Sequence, residues 1–101
     1  MVRTRFIRAP RPGTLAMLYR RIPREMRQEI EGKTFAAVGL VQADLPSLFY
    51  WADVGQKAAD VIAVELLGSC PQHISTIAFF GSTSAVTAAL AAVTSRAGEG
   101  K

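Results

Sequence analysis

"RTRFIRAP", residues 3–10, stands apart from the other apolar runs of the chain, and the fold turns on whether it is a strand. Phe6 and Ile7 lie in a segment closed by Pro10, and the residue before a proline is biased toward extended backbone. From Phe35 onward the pattern is regular. "FAAVGLV" (35–41) is a short apolar run with Gly39 inside it, the mark of a buried strand that another backbone approaches closely. Asp44 offers a helix N-cap ahead of Leu45 and Pro46, and a helix is expected from there to about Ala59. "VIAVELL" (61–67) and "ISTIAFF" (74–80) read as two further strands joined by "GSCPQH" (68–73). Gly81 and Ser82 end the last of these and cap a second helix, with Val86, Ala89, Leu90 and Val93 as its buried stripe. Strand, helix, strand, strand, helix lacks the final strand of a ferredoxin-like split unit. Residues 3–10 can fill that place from the other end of the chain, which makes the order circularly permuted.

The expected fold is α+β, an α/β sandwich with an antiparallel sheet and flanking helices. One domain should span residues 1–101: a permuted N-terminal strand (1–13), a helical connection (14–32), a core (33–95) and a frayed tail (96–101). The connection divides into "TLAMLYRRI" and "PREMRQEIEG", the second opening on Pro23 and ending at Gly32. On the first core helix, Leu48, Phe49, Ala52, Gly55 and Ala59 should face the sheet. Tyr50, Asp53, Lys57 and Asp60 share the opposite face, where Asp53 and Lys57 form an i,i+4 pair.

Half of the 101 residues are apolar, enough for one modest core and no separate catalytic domain. No apolar run reaches the roughly 18 residues that span a membrane, and the arginine-rich start lacks the apolar segment of a secretory signal. A soluble intracellular protein is expected, without membrane contact. The single cysteine, with no partner for an internal disulfide, fits a reducing compartment. Eight of the nine arginines lie at or before Arg27, so the net charge of +4 belongs to one segment. That segment has only Phe6 and Tyr19 as aromatics and no reading motif, which argues against a nucleic-acid partner. Tyr50 and Trp51, adjacent on a core helix, read as packing or interface residues rather than a base-stacking pair.

Residues 36–93, roughly six-tenths of the chain, resemble the bacterial microcompartment shell domain. "AVGLVQADLPSLF" is similar to the family's first strand and helix entry, and "WADVGQKAADV" to its lysine-bearing helix. "ELLGS" is similar to its pore loop, and "FFGSTSAVTAALAAV" to its last strand and second helix. "RAPRPG" (8–13) resembles a segment found near the C-terminus of ordinary members, in keeping with the permuted order. The resemblance implies cyclic homohexamers that tile edge to edge with other shell proteins around encapsulated enzymes, in a cytoplasmic microcompartment shell. It also implies that Lys57 and Arg11 lie at the edge between hexamers. An isolated lysine would otherwise read as a solvated helix residue.

The pore loop departs from the family's usual glycine-serine-glycine turn, having Gly68, Ser69, Cys70, Pro71 and Gln72. In this it resembles the shell proteins of glycyl-radical propanediol microcompartments, whose cysteine loop is associated with an iron–sulfur cluster in the hexamer pore. The expected metal ligand is therefore Cys70, and the expected cofactor an iron–sulfur cluster of the cubane (4Fe–4S) kind shared between subunits. Thiolates suit such clusters because sulfur is soft and donates strongly to iron. Six symmetric thiols cannot all ligate four irons, so the cluster would engage a subset of subunits. Gly68 would permit a tight turn, Ser69 would donate a hydrogen bond to sulfur, and Pro71 would stiffen the exit. His73 reads as the start of the next strand rather than a ligand. Two other readings stand beside this one. A metal-free pore could pass small molecules, or Cys70 and His73 could form a catalytic pair. The last is weakened because Glu65 is the only acid near them in sequence. No catalytic residue is assigned.

Overall fold

A computed structural model describes residues 2–68 and 73–99. The chain runs through β1 (Arg3–Arg8), α1 (Pro12–Arg20), a 3-10 turn (Arg24–Met26), α2 (Arg27–Ile30), β2 (Ala37–Asp44), α3 (Leu45–Ala58), β3 (Ile62–Leu66), β4 (Ile74–Gly81) and α4 (Thr83–Glu99). The strands form one sheet in the order β1-β2-β4-β3, with every neighbouring pair antiparallel. The N-terminal segment is thus a true member of the sheet, paired from Arg3 with Gln42 to Arg8 with Ala37. With β1 standing where a last strand would be, the order is that of the split unit, closed by a permuted strand.

Helices cover both faces of the sheet, so the central strands are buried on both sides and their alternation is masked by continuous apolar sequence. Beneath α3 and α4, Ala37, Val41, Ala43, Ile77 and Phe79 meet Leu48, Val54, Val86, Ala89, Leu90 and Val93. On the other face, Val38, Val64, Leu66, Ala78 and Phe80 meet Leu18 of α1, Ile22 and Ile30 of α2. Gly39 is a point of close approach, but to side chains rather than to a backbone. A Cβ there would stand 2.9 Å from Val86 Cγ1 and 3.0 Å from Leu90 Cδ1.

Both helix caps are where the sequence puts them. The Ser47 amide donates to the Asp44 carboxylate at 3.2 Å, and the Ala85 amide to the Ser82 hydroxyl at 3.1 Å. Gly32 takes the left-handed conformation, φ 78°, just past α2. The strand of 35–41 is displaced to Ala37–Asp44, so Asp44 ends the strand and caps α3 with no intervening loop.

Two expectations fail. Phe49 does not face the sheet: it is exposed, and Val54 is buried in its stead. Leu48 and Gly55 fix the centre of the buried stripe, and Phe49 lies a full 100° step from Leu48 on a helix of 3.6 residues per turn. The described part of the expected frayed tail, residues 96–99, is also helical, because α4 continues to Glu99. Its last turns are tied to α3 by the Arg96 guanidinium, which donates to the Tyr50 hydroxyl at 3.2 Å.

Candidate functional site

The sequence of the sheet decides which functional residues lie together. One row of paired residues, Arg3–Gln42–Thr76–Leu66, marks the end at which the 67–73 connection leaves β3 and returns to β4. The row Arg8–Ala37–Gly81 marks the opposite end, about 17 Å away at strand rise. The cysteine-bearing connection therefore belongs to one end of the sheet alone.

Both roots of that connection are anchored. The Leu67 amide donates to the Arg21 carbonyl, just past α1, at 2.7 Å, and the Leu45 amide at the start of α3 donates to the His73 carbonyl at 3.1 Å. Ser75 Oγ adds a bond to the Leu66 carbonyl at 3.4 Å. The two roots are thus tied to the helical layers on opposite faces of the sheet. Ser69, Cys70, Pro71 and Gln72, the centre of the expected pore site, lie outside the described residues.

Gly68 is the one residue of the expected pore loop that the structure describes. Its φ is not in the left-handed region, and no described atom comes within 4 Å of where a Cβ would stand. Leu67 and Ile74, which flank the loop, are 56% and 39% exposed. Sequence periodicity gives no sign of this pair, because both sit beyond or at the ends of strands that bury their other apolar residues. His73 is an exposed turn residue, one short of β4 rather than its first member.

Glu65 lies on β3, and among the described residues no three His, Cys, Asp or Glu side chains gather as a metal-binding group. The Asp44 carboxyl has a lowered pKa. The Ser47 N–H at the first turn of α3 stabilises its charged form and lowers the value from the ordinary 3.8.

Lys57 lies on the last turn of α3, 77% exposed, with its ammonium 2.7 Å from the Asp53 carboxylate. That turn reaches the end of the sheet opposite the cysteine connection, since the carbonyl of nearby Asp60 comes against Gly81. Arg11, exposed at the N-cap of α1, follows the Arg8 end of β1 and so lies toward the same end. Both candidate edge residues are on outward-facing positions remote from the loop. The adjacent Tyr50 and Trp51 rings lie 4.9 Å apart. Trp51 packs against the core while Tyr50 is half-exposed and engaged by Arg96.

The BMC domain family matches residues 37–101, beginning at β2 and leaving out the permuted strand. No curated protein matches. Among solved structures, the chain is similar to the ligand-free GrpU microcompartment shell protein from Pectobacterium wasabiae, with 36% identity and a TM-score of 0.74. That match covers 91% of this chain and 99% of the other. It is similar also to the ligand-free GrpU shell protein from Clostridiales bacterium 1_7_47FAA, at 26% identity and TM-score 0.62 over 93% and 92% of the two chains. A fused permuted hexameric shell protein from the RMM microcompartment shares the fold, at 23% identity and TM-score 0.69. It aligns over 94% of this chain and 44% of that longer one. A family domain that begins at the second strand of a sheet closed by the first has one explanation: the chain belongs to the BMC-domain family of bacterial microcompartment shell proteins, in circularly permuted form.

Proposed function

We propose that six copies of this chain form a ring that tiles a microcompartment shell, and that Cys70 thiols around its axis hold a shared iron–sulfur cluster. The observation that supports this reading is that the connection whose sequence holds the sole cysteine leaves β3 and returns to β4 at the end of the sheet opposite Lys57 and Arg11. A hexagonal tile needs one end of each wedge at the centre and the other at the rim. Lys57 and Arg11, exposed and outward, suit contacts with neighbouring shell proteins. Leu67 and Ile74 offer apolar surface beside the loop where copies would crowd together.

The donor chemistry fits a cluster only in the plural. One chain supplies one thiolate, and the described residues gather no further ligand set, so several copies must contribute thiolates. Cys70 would hold the group and lose its proton on doing so. Ser69 would donate a hydrogen bond to sulfur, and the backbone anchors at Leu67 and His73 would fix the loop roots. When bound, a cluster supplies one-electron chemistry, suited to electron transfer across the shell or to redox sensing beside glycyl-radical enzymes held within. The role is thus structural and redox, not catalytic.

The test is iron and sulfide analysis of protein purified without oxygen, alongside Cys70→Ser. Brown wild-type protein with bound iron and sulfide, and a colourless variant of the same assembled mass, is the expected result. Iron near zero in the wild type after anaerobic reconstitution overturns the cluster and leaves a tile with a metal-free pore.

A further inference from the structure

The helical cover over the sheet is incomplete. On the face packed by α1 and α2, the rows nearest α2 are sealed, with Val38, Phe80, Val64 and Ala78 buried. At the loop end the cover reaches Leu66 of β3 but stops short of the β1 edge. Arg3, Thr4, Arg5, Leu40, Gln42 and Thr76 line a cleft of about 230 Å³ there.

The register explains its chemistry. Arg3 pairs with Gln42 and Arg5 with Leu40, and these pair in turn with Thr76 and Ala78, so the two guanidinium stems rise from the same face as the Gln42 amide and the Thr76 hydroxyl. None of the six lining residues is acidic. Among the described residues the ion pair within 4 Å joins Lys57 to Asp53, and neither Arg3 nor Arg5 is so neutralised. One nitrogen of Arg5 donates to the Thr4 carbonyl at 3.0 Å, which tethers that guanidinium while leaving its other N–H groups free. Leu40, half-buried, gives the cleft an apolar floor beneath the exposed Arg3, Arg5 and Gln42 side chains.

Charged edge strands also discourage stray pairing. Arg8 serves that end as well, but it pairs with Ala37 and so rises from the opposite face. Arg3 and Arg5 share their cleft with the Gln42 amide and the Thr76 hydroxyl.

We propose that this cleft binds a small phosphate-bearing anion between Arg3 and Arg5, independently of any metal at the loop. The cleft is smaller than the roughly 300–1,000 Å³ of pockets for drug-sized ligands, which favours a compact anion over a peptide. Two guanidinium forks, an amide and a hydroxyl supply donors in more directions than the two oxygens of a carboxylate can use. A tetrahedral phosphate presents oxygens to all of them. A ring of such subunits would carry one cleft per copy beside its loop end, concentrating phosphorylated small molecules there.

The test is calorimetric titration of inorganic phosphate into the assembled wild-type protein, Arg3→Gln/Arg5→Gln, Gln42→Leu and Arg8→Gln, with acetate as the carboxylate arm. Saturable binding to wild type is expected, weakened about tenfold or more in the double variant and measurably in Gln42→Leu. Binding should be unchanged in Arg8→Gln, with acetate weaker than phosphate. Absence of saturable phosphate binding by wild type, loss in Arg8→Gln equal to that in the double variant, or acetate binding as tight as phosphate would each overturn the proposal.

Discussion

Gly55 lies inside α3, where glycine is ordinarily a weakness: replacing it by alanine in a helix interior should gain about 0.8–1.0 kcal/mol. Here the sign reverses. A Cβ at Gly55 would stand 2.3, 2.7 and 2.9 Å from three ring carbons of Phe79, a fully buried side chain at the centre of the sheet. Carbon pairs are comfortable at about 3.5–4.0 Å, so three contacts are each short by more than half an ångström. The ring is wedged between β4 and two helices, and relief requires α3 to lift from the sheet. Overpacking of this kind costs about 1–3 kcal/mol, and the depth of the overlap places Gly55→Ala at the upper end. Subtracting the helical gain leaves a net loss of about 2 kcal/mol, or a fall in Tm of about 8–16 °C for a domain this size. Gly13, in α1, has no described atom outside its own helix backbone and chain neighbours within 4 Å of its Cβ position, so Gly13→Ala should hold or raise the Tm. Thermal unfolding of both variants at equal subunit concentration reads the difference. A Gly55→Ala protein as stable as wild type would refute the packing of α3 on Phe79.

Three further outcomes follow from the same geometry. Because the folded pKa of Asp44 is lowered, its capping contribution is fully present above the unfolded value and disappears as pH falls through the folded one. The stability gap between wild type and Asp44→Ala in urea should therefore be open at neutral pH and close below about pH 4; a pH-independent gap contradicts the cap. Lys57→Ala should leave the urea midpoint within about 0.5 kcal/mol of wild type, since the Asp53 pair is exposed, yet prevent growth of flat sheets seen by electron microscopy. Intact sheets would remove Lys57 from the tile edge. Ser82→Ala should cost about 1 kcal/mol through loss of the bond to the Ala85 amide, and an unchanged midpoint would discount that cap.

Most of the scaffold was legible because local signals agreed with the global fold. Ser82 with the Val86, Ala89, Leu90, Val93 stripe states the position and phase of α4, and Asp44 before Leu45 and Pro46 states the start of α3. The place of β1 was legible for a different reason: a split unit with a strand missing leaves one sheet position to fill. The misread residues share a physical cause. α3 mixes alanines with aromatics on several sides, so the sequence does not say whether Phe49 or Val54 is the inward one. Phe79 opposite Gly55 settles it through a contact made across the fold. α4 persists to Glu99, and its Arg96 meets Tyr50, residues 46 apart in sequence, a contact that no local pattern announces. The Arg3 and Arg5 cleft is invisible without the register of β1 on β2, because nothing within "RTRFIRAP" says that Gln42 and Thr76 share its face.

Native mass spectrometry of anaerobically prepared protein weighs subunits and bound metal in one spectrum. Six chains carrying the added mass of an iron–sulfur cluster, with Cys70→Ser giving six chains and nothing more, is the predicted pair of spectra. A single chain, or a wild-type ring with no mass beyond its polypeptide, would contradict the claim that these thiols acquire their function by meeting at a common axis.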